Sequence, residues 1–362
     1  MPIPSSMHPS MHPSMIPRSF LLTALAVMAL CAVAVDGHAQ RATTPDEARR
    51  LLSIIAHDSL EGRLTGTPGA MRAARVIAAQ MQRIGLEPAG DQQFFQSVPI
   101  YAGAPRMAGG PSRPMLAASK EMYDTIPVAQ RREAVNVVGI LRGSDPVLRD
   151  EYVIVGAHYD HLGVNPARAV DGDSIFNGAD DDASGVIAML ETARQLKDQG
   201  APKRSVIFVA FTGEENGMTG TNHFIRNPVR PLAQVVADVQ IEMIGRPDSL
   251  AGGPGKGWLT GYERSTMGAM LAAAGVAVIQ DPRPAQNFFS RSDNFPFALQ
   301  GIPAHTISSF GGHSDYHGVN DEVETMDFPH FAAVINATAK AVRVVADGAR
   351  PEWKAGGRPE RR

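Results

Sequence analysis

Cysteine is almost absent from this chain of 362 residues, since Cys31 is its single cysteine. Cys31 lies in a segment that we expect to be removed, so the mature protein should have neither a disulfide nor a cysteine-bound metal. The chain also lacks a large excess of either charge, because its 34 lysine and arginine residues nearly balance its 37 aspartate and glutamate residues, for a net charge of −3. This balance gives no indication of a nucleic-acid partner. Any metal would have to be bound by histidine and carboxylate side chains.

The apolar run Phe20–Val35 is too short for a membrane span. It has 16 residues, whereas a spanning helix needs about 20. Arg18 precedes it, and small residues follow it at 36–39, which is typical of a cleavable signal peptide. We therefore predict that residues 1–39 are a signal peptide and that the protein is exported, periplasmic or secreted, with no stable membrane insertion after cleavage. A membrane anchor is the alternative.

Apolar strands alternate with helices through most of the remaining chain. The predicted strands are Val135–Leu141, Tyr152–Gly156, Val206–Phe211, Val235–Ile241 and Ile302–Ser308, and the main predicted helices are Ala183–Gln199, Gly217–Asn227, Met267–Ala273 and Phe328–Val345. This alternation favours an α/β fold with a mostly parallel mixed sheet flanked by helices on both faces. We expect a single catalytic domain over 40–347, with a loop elaboration at 93–130. A polar, glycine- and proline-rich segment at 348–362 is predicted to be a flexible tail.

Histidines and carboxylates stand where the predicted strands end and where one helix begins. The segments in question carry His158 and Asp160, Asp180–Asp182, Glu214 and Glu215, Glu242, and finally His313, His317 and Asp321. Each segment alone has a plain explanation, such as a helix cap or a solvated turn. However, open α/β sheets bring the carboxyl ends of their strands to one edge. So many like charges would repel each other there unless cations held them, so together they predict a metal site.

The residue types suit zinc, because imidazole and carboxylate are its ligands when thiolates are lacking. Two ions about 3.5–4 Å apart need a bridging carboxylate, which one aspartate at the helix start can supply. His158 with Glu242 can then serve one ion, and Glu215 with His317 the other. A bridging water or hydroxide would be the nucleophile.

Two further carboxylates have predicted supporting roles. Of the adjacent Glu214 and Glu215, one can bind metal while the other accepts a proton from the nucleophile. Asp160 stands two residues from His158 and is placed to accept a hydrogen bond from its second ring nitrogen.

These segments resemble the co-catalytic zinc aminopeptidase family, which includes bacterial secreted aminopeptidases and glutamate carboxypeptidase. The matching stretches are 156–161, 178–185, 211–215 and 242–245, together with His317 and Asp321. The resemblance implies two zinc ions per chain, with Asp181 as the bridge, Glu214 as the base and Asp160 behind the ligands. It also implies hydrolysis of the N-terminal peptide bond of peptides that have a free amino end.

Some positions leave alternatives open. Glu242 stands where the family often has aspartate, and His313 is the alternative to His317 as the last ligand. Ser292 and Asp293 are expected near the site in a supporting role.

Proteins of this fold have other functions besides that of an aminopeptidase. A glutaminyl cyclase uses a single zinc and would not need His158, and a non-catalytic relative of the transferrin-receptor type would have lost ligands. A carboxypeptidase or dipeptidase remains open, because the pocket walls lie in loops such as 93–130 and 246–290. Arg246 and Arg291 are the basic residues that could bind a terminal carboxylate.

Overall fold

The computed structural model describes residues 1–2, 41–104 and 112–360. Residues from Ala42 onward form a unit by themselves, and that unit is described below. The predicted signal peptide at 1–39 lies outside the described residues except for its first two. Within the described part of the chain, no helix combines the length and the apolar character needed to cross a membrane.

Fourteen strands are present in the described residues. They are β1 Glu87–Pro88, β2 Phe95–Ser97, β3 Ile100–Gly103, β4 Arg113–Leu116, β5 Arg131–Arg132, β6 Val135–Leu141, β7 Tyr152–His158, β8 Gly163–Val164, β9 Ile175–Phe176, β10 Ser205–Phe211, β11 Val235–Ile241, β12 Gly257–Leu259, β13 Val278–Gln280 and β14 Ala304–Ser308. The five strands predicted from the sequence correspond to β6, β7, β10, β11 and β14.

One large sheet holds most of these strands, in the order β1-β6-β10-β7-β11-β14-β12-β13, with β2 also paired to β6. Its centre, β10, β7, β11 and β14, is parallel, and β6 and β12 join it in antiparallel pairing. In β7, Val153 and Val155 pack into one hydrophobic cluster and Ile154 into another on the opposite face. Burial on both faces explains the continuous apolar runs and confirms the predicted fold class.

Eight α-helices are present in the same residues. They are α1 Pro45–Ile55, α2 Pro68–Ile84, α3 Lys120–Thr125, α4 Gly185–Asp198, α5 Thr219–Arg226, α6 Met267–Ala273, α7 Asn294–Leu299 and α8 Phe328–Asp347. Local sequence sets their ends: the Thr44 hydroxyl accepts from the Glu47 backbone at the start of α1, and α2 ends at Gly85 with φ +78°. Residues of α1, α2, α4, α6 and α8 belong to one hydrophobic cluster, and residues of α5 and α7 to the other.

The predicted loop elaboration at 93–130 contains regular structure. Besides β2 and α3, it supplies β3 and β4, and β3 pairs with both β4 and β5 in a three-stranded antiparallel sheet. Ile100 is fully buried there beside Val98 and Ala134. Short antiparallel strands satisfy the backbone without a strong periodic pattern, so they are hard to predict from the sequence.

Residues 348–360 pack against the body, so the prediction of a flexible tail is wrong for them. The Trp353 indole N–H donates to the carbonyl of Gly301 at 2.9 Å, and the backbone N–H of Lys354 donates to the carbonyl of Arg264 at 2.9 Å. A bridge also pairs Ser265 with Trp353. One large aromatic side chain with backbone partners is enough to order an otherwise polar segment.

Candidate metal centre and active site

The carboxyl ends of the parallel strands meet at one edge of the large sheet, and the predicted site residues stand at that edge. His158 is the last residue of β7, and Glu242 directly follows β11. Glu214 and Glu215 follow β10, while the segment that carries Asp181 leads into α4. Neighbouring parallel strands end side by side, so residues that are distant in sequence become neighbours here.

Asp181 lies between two groups of candidate ligands. One group is His158, Asp181 and Glu242, whose ligand atoms lie within 4.8 Å of one another. Within it, His158 Nε2 is 3.3 Å from Asp181 Oδ1. On the other side, His317 Nε2 is 3.2 Å from Asp181 Oδ2 and 3.1 Å from Glu215 Oε1. The two oxygens of one carboxylate therefore face two different groups.

The contacts inside these groups fit a metal better than hydrogen bonding. His158 Nε2 and Glu215 Oε1 are buried atoms that have no hydrogen-bond partner within the part of the chain that the structure describes, although oppositely charged or polar atoms lie close to both. Ligand atoms around a zinc ion, each about 2.0–2.2 Å from it, lie about 3.3 Å apart. The measured separations match that spacing, so these residues can hold zinc.

Further residues hold the Asp181 segment in place. Both carboxylate oxygens of Asp321 accept backbone N–H bonds, from Asp180 and from Asp181, each at 3.0 Å. Gly178 precedes the segment with φ +51° and packs so closely that a Cβ there would overlap the carbonyl oxygen of Asp181. The position of Asp181 is thus fixed by the backbone and by Asp321.

Asp160 contacts His158 differently from the sequence prediction. His158 Nδ1 is 3.1 Å from the backbone carbonyl of Asp160 but 3.7 Å from its carboxylate, which is beyond hydrogen-bond distance. The Asp160 carboxylate instead accepts from the Glu214 backbone N–H at 3.1 Å and from the Thr65 hydroxyl at 3.0 Å. Asp160 therefore contacts His158, a candidate ligand, through its backbone and the Glu214 loop through its side chain.

Glu214 is placed beside the ligands without belonging to either group. Burial raises the pKa of its carboxyl well above the ordinary value; His158 opposes this shift, and the charges of Glu242 and Asp293 add to it. A carboxyl with a raised pKa binds a proton readily, as a base in hydrolysis has to do.

The other predicted candidates lie at the margins of the site. His313 Nε2 is 3.2 Å from Asp180 Oδ2, so it contacts the neighbour of the shared aspartate. Asp293 is buried and accepts a short hydrogen bond from the Thr221 hydroxyl. Burial raises the pKa of Asp293 to about 7, and Ser292 lines the adjoining cavity.

Two residues were missed by the sequence analysis. His161 is fully buried, and its Nδ1 is 3.0 Å from Glu215 Oε1. It belongs to the matched stretch 156–161, but in that stretch only His158 was predicted to bind metal. Arg63 is also fully buried and donates to the carbonyls of Ile55, Tyr159, Asn177 and Gly178. A loop arginine gives no sequence signal for such a role.

A cavity of about 240 Å³ opens onto the ligands. Aromatic rings form one wall in an unbroken series: Trp258–Phe288 at 5.3 Å between centroids, Phe288–Phe310 at 6.0 Å, Phe310–Tyr316 at 5.3 Å and Tyr316–His317 at 3.9 Å. Arg291 is part of the lining as well. The cavity thus places an apolar wall next to the candidate metal ligands.

Comparison with known proteins gives a family match over residues 136–342, to the model described as Peptidase family M28. A probable leucine aminopeptidase 2 of Aspergillus fumigatus is 25% identical over 319 residues, which are 82% of this chain and 57% of that protein. A probable zinc metalloprotease of Pyrenophora teres is 37% identical over 110 residues, which are 30% of this chain and 22% of that protein. The chain thus spans little more than half, or less, of the length of these relatives.

Solved structures share the fold. A zinc aminopeptidase of Bacillus subtilis superposes with a TM-score of 0.59 at 16% identity, covering 84% of this chain and 96% of that one. A Zn-dependent exopeptidase of Parabacteroides distasonis gives 0.56 at 18% identity, covering 84% and 99%. At such low sequence identities, the similarity shows that the three proteins share the arrangement of sheet and helices.

Proposed function

The chain belongs to peptidase family M28, and on this premise we propose that it is a zinc-dependent aminopeptidase that binds two zinc ions. It would remove residues one at a time from the free amino end of peptides. The observation that carries the proposal is the position of Asp181, whose two oxygens face two separate groups of ligand atoms. A shared carboxylate of this kind is what a two-metal hydrolase requires.

The proposed ligand sets follow from these contacts. Asp181 bridges, His158 and Glu242 complete one set, and Glu215 and His317 complete the other. When bound, the two zinc ions supply Lewis-acid polarisation of the scissile carbonyl and of the attacking water. Because Glu242 is longer than aspartate, it reaches the first set from the end of β11.

Glu214 is the proposed base. It accepts a proton from the attacking water and returns it to the nitrogen that leaves when the peptide bond breaks. Its raised pKa suits a group that must hold that proton between the two steps. Asp160 positions Glu214 by accepting its backbone N–H bond.

The cavity is the proposed site for the first residue of the peptide. Carboxylates line it, Glu214, Glu215 and Glu242 among them, so it would attract an ammonium group, and a neutral amine could donate its lone pair to bound zinc. The aromatic wall would take the side chain of that residue, so we expect apolar side chains to be preferred. An acetyl cap removes both the charge and the lone pair of the amino group.

The test compares one peptide beginning with leucine or phenylalanine in three forms: free, N-acetylated and C-amidated. We expect the free and amidated forms to be cleaved at similar kcat/KM, and the acetylated form to be slower by ~10² or more. A Glu214→Gln protein, purified in the same way, controls for contaminating peptidases. Rapid cleavage of the acetylated form with loss on amidation would contradict the proposal.

Carboxyl-end specificity is the second candidate, and Arg291 is the observation that favours it. This guanidinium lines the cavity and stacks 5.0 Å from the Phe288 ring centroid, where it could bind a terminal carboxylate. The amidated peptide decides between the two, because amidation removes that carboxylate.

Export is also proposed, on the signal-peptide pattern of residues 1–39. N-terminal sequencing of protein recovered outside the cytoplasm should then begin near Gln40. A mature chain that retains Phe20–Val35 would contradict cleavage.

A further inference from the structure

His161 is a third histidine at the carboxyl edge of the sheet, and the proposed mechanism leaves it unused. Its side chain is 0% exposed, and neither ring nitrogen has a hydrogen-bond partner among residues 41–104 and 112–360. A buried imidazole normally has at least one such partner, because an unpaired polar atom in the interior is costly. The environment of this ring therefore requires an explanation.

The Nδ1 atom of His161 faces the same carboxylate oxygen as His317 does. It is 3.0 Å from Glu215 Oε1 and 3.9 Å from Asp181 Oδ2. Neither contact is aligned as a hydrogen bond, and Glu215 Oε1 has no hydrogen-bond partner among the described residues. His161, Asp181 and Glu215 also form a group whose ligand atoms lie within 4.8 Å of one another. This is the spacing of atoms around a cation.

The two imidazoles at Glu215 differ in how they are held. The His161 ring lies against Gly178, where an added Cβ would come within 2.6 Å of two ring atoms. The His317 side chain is 33% exposed, its backbone has φ +56°, and its carbonyl accepts from Arg168, an exposed side chain. His317 also lines the cavity. One histidine is therefore fixed in the interior and the other stands on the cavity side.

We propose that His161 is itself a zinc ligand, which holds the ion at Glu215 from the interior while His317 reaches that ion from the cavity. This inference rests on the proposed function, because it presumes zinc at the site. The ion at Glu215 then has two buried ligands, His161 and Asp181, and a third, Glu215, whose side chain is only 9% exposed, so it stays bound without His317. His317 is the ligand that can dissociate from the ion on the cavity side.

The experiment measures zinc content rather than turnover. Zinc-loaded wild-type protein and three variants, His161→Phe, His317→Phe and His313→Phe, are dialysed against graded chelator and analysed by mass spectrometry for zinc per chain. Phenylalanine keeps a planar aromatic ring, with six atoms in place of five, and has no nitrogen to bind a metal. His313→Phe is the matched control, because His313 contacts Asp180 and neither Asp181 nor Glu215.

We expect about two zinc ions per chain in the wild type, His313→Phe and His317→Phe proteins, and about one in His161→Phe. Cobalt-substituted protein gives a second readout: the visible absorption of the metal should change in His161→Phe, because one nitrogen ligand is lost. His161→Asn, which keeps an oxygen near the Nδ1 position, should restore part of the metal affinity.

Retention of two zinc ions in His161→Phe, with an unchanged cobalt spectrum, would overturn the inference. Loss of one ion in His317→Phe would overturn it too, since His161 would then not suffice. A wild-type protein that never binds two ions would instead refute the two-zinc function on which the inference rests. Circular dichroism and thermal unfolding of the metal-free variants identify any that fail to fold, and His161→Leu, a smaller side chain that also lacks a ligand atom, then takes the place of His161→Phe.

Discussion

Glu214 and Glu215 are adjacent in the chain but have different environments. The backbone N–H of Glu214 is held by Asp160, and its side chain lines the cavity beside Asp293 and Glu242. The Glu215 carboxylate points to two histidines, His161 and His317, at 3.0 and 3.1 Å. Substitution at the two positions should therefore have different effects.

We predict that Glu214→Gln keeps both zinc ions but lowers kcat by ~10² or more, because the amide cannot accept the proton. Glu215→Gln should lose zinc, because a charged ligand of the second set is replaced. Zinc analysis alongside peptide kinetics checks both, with the surface variant Glu263→Gln as the control. Full turnover in Glu214→Gln would exclude its role as the base.

The sequence predicted which residues meet at the site more readily than how they contact each other. His158, Glu215 and Glu242 each follow an apolar strand, and strand ends are readable from the pattern. The atoms through which Asp160 makes its contacts cannot be read from the pattern, because the backbone carbonyl and the carboxylate of one residue lie within a few ångströms of each other. The burial of His161 depends on the approach of Gly178, which is distant in sequence.

β14 carries a buried histidine away from the metal ligands. His305 Nδ1 donates to the Thr260 carbonyl at 2.7 Å, and its Nε2 is 2.7 Å from the Ser265 hydroxyl. These contacts tie β14 to the segment that follows β12. Burial lowers the pKa of His305 from 6.5 to about 4, against the raising effect of the Thr260 hydrogen bond.

This histidine should make the protein less stable as the pH is lowered. Below pH 6.5 the His305 imidazole becomes protonated in the unfolded chain, whereas in the folded chain it stays neutral down to about pH 4. Acid therefore favours unfolding. Its contribution is fully present above pH 6.5, and about 2 kcal/mol should be lost on going down to about pH 5. Urea unfolding of metal-free wild-type and His305→Asn proteins at about pH 7 and about pH 5 should show their difference shrinking. A constant difference would contradict the assignment.

Long elements were predictable because their periodicity is strong, and short ones were not. β6, β11 and α6 begin and end where the sequence placed them, at Val135–Leu141, Val235–Ile241 and Met267–Ala273. β12 and β13 have three residues each, Gly257–Leu259 and Val278–Gln280, and they complete the sheet edge beyond β14. Pairing with neighbours, which the local sequence does not encode, stabilises strands of this length.

At the scale of the whole molecule, the segment after α8 contributes to stability. Trp353 packs 6.4 Å from the Phe289 ring and 5.7 Å from that of His305, in addition to its hydrogen bond to Gly301. We predict that Trp353→Ala lowers the free energy of unfolding by about 2 kcal/mol, less than a fully buried aromatic would. Lys354→Ala, at the adjacent exposed position, should change it by less than about 0.5 kcal/mol. If chemical denaturation showed that Trp353→Ala lowers the free energy of unfolding no more than Lys354→Ala does, the packing of residues 348–360 would not contribute to stability.

The buried guanidinium of Arg63 has a consequence for how this protein could be divided. A gene fragment that encodes only residues 136–342, the span of the family match, would include every proposed zinc ligand, from His158 to His317. It would lack the donor that joins the carbonyls of Tyr159, Asn177 and Gly178. The carbonyls of Tyr159 and Asn177 would lose this donor, and the carbonyl of Gly178 would keep only its hydrogen bond from the backbone N–H of Ala183, at 3.2 Å. The smallest autonomous catalytic unit therefore extends back at least to Arg63, well ahead of the stretch by which the family is recognised.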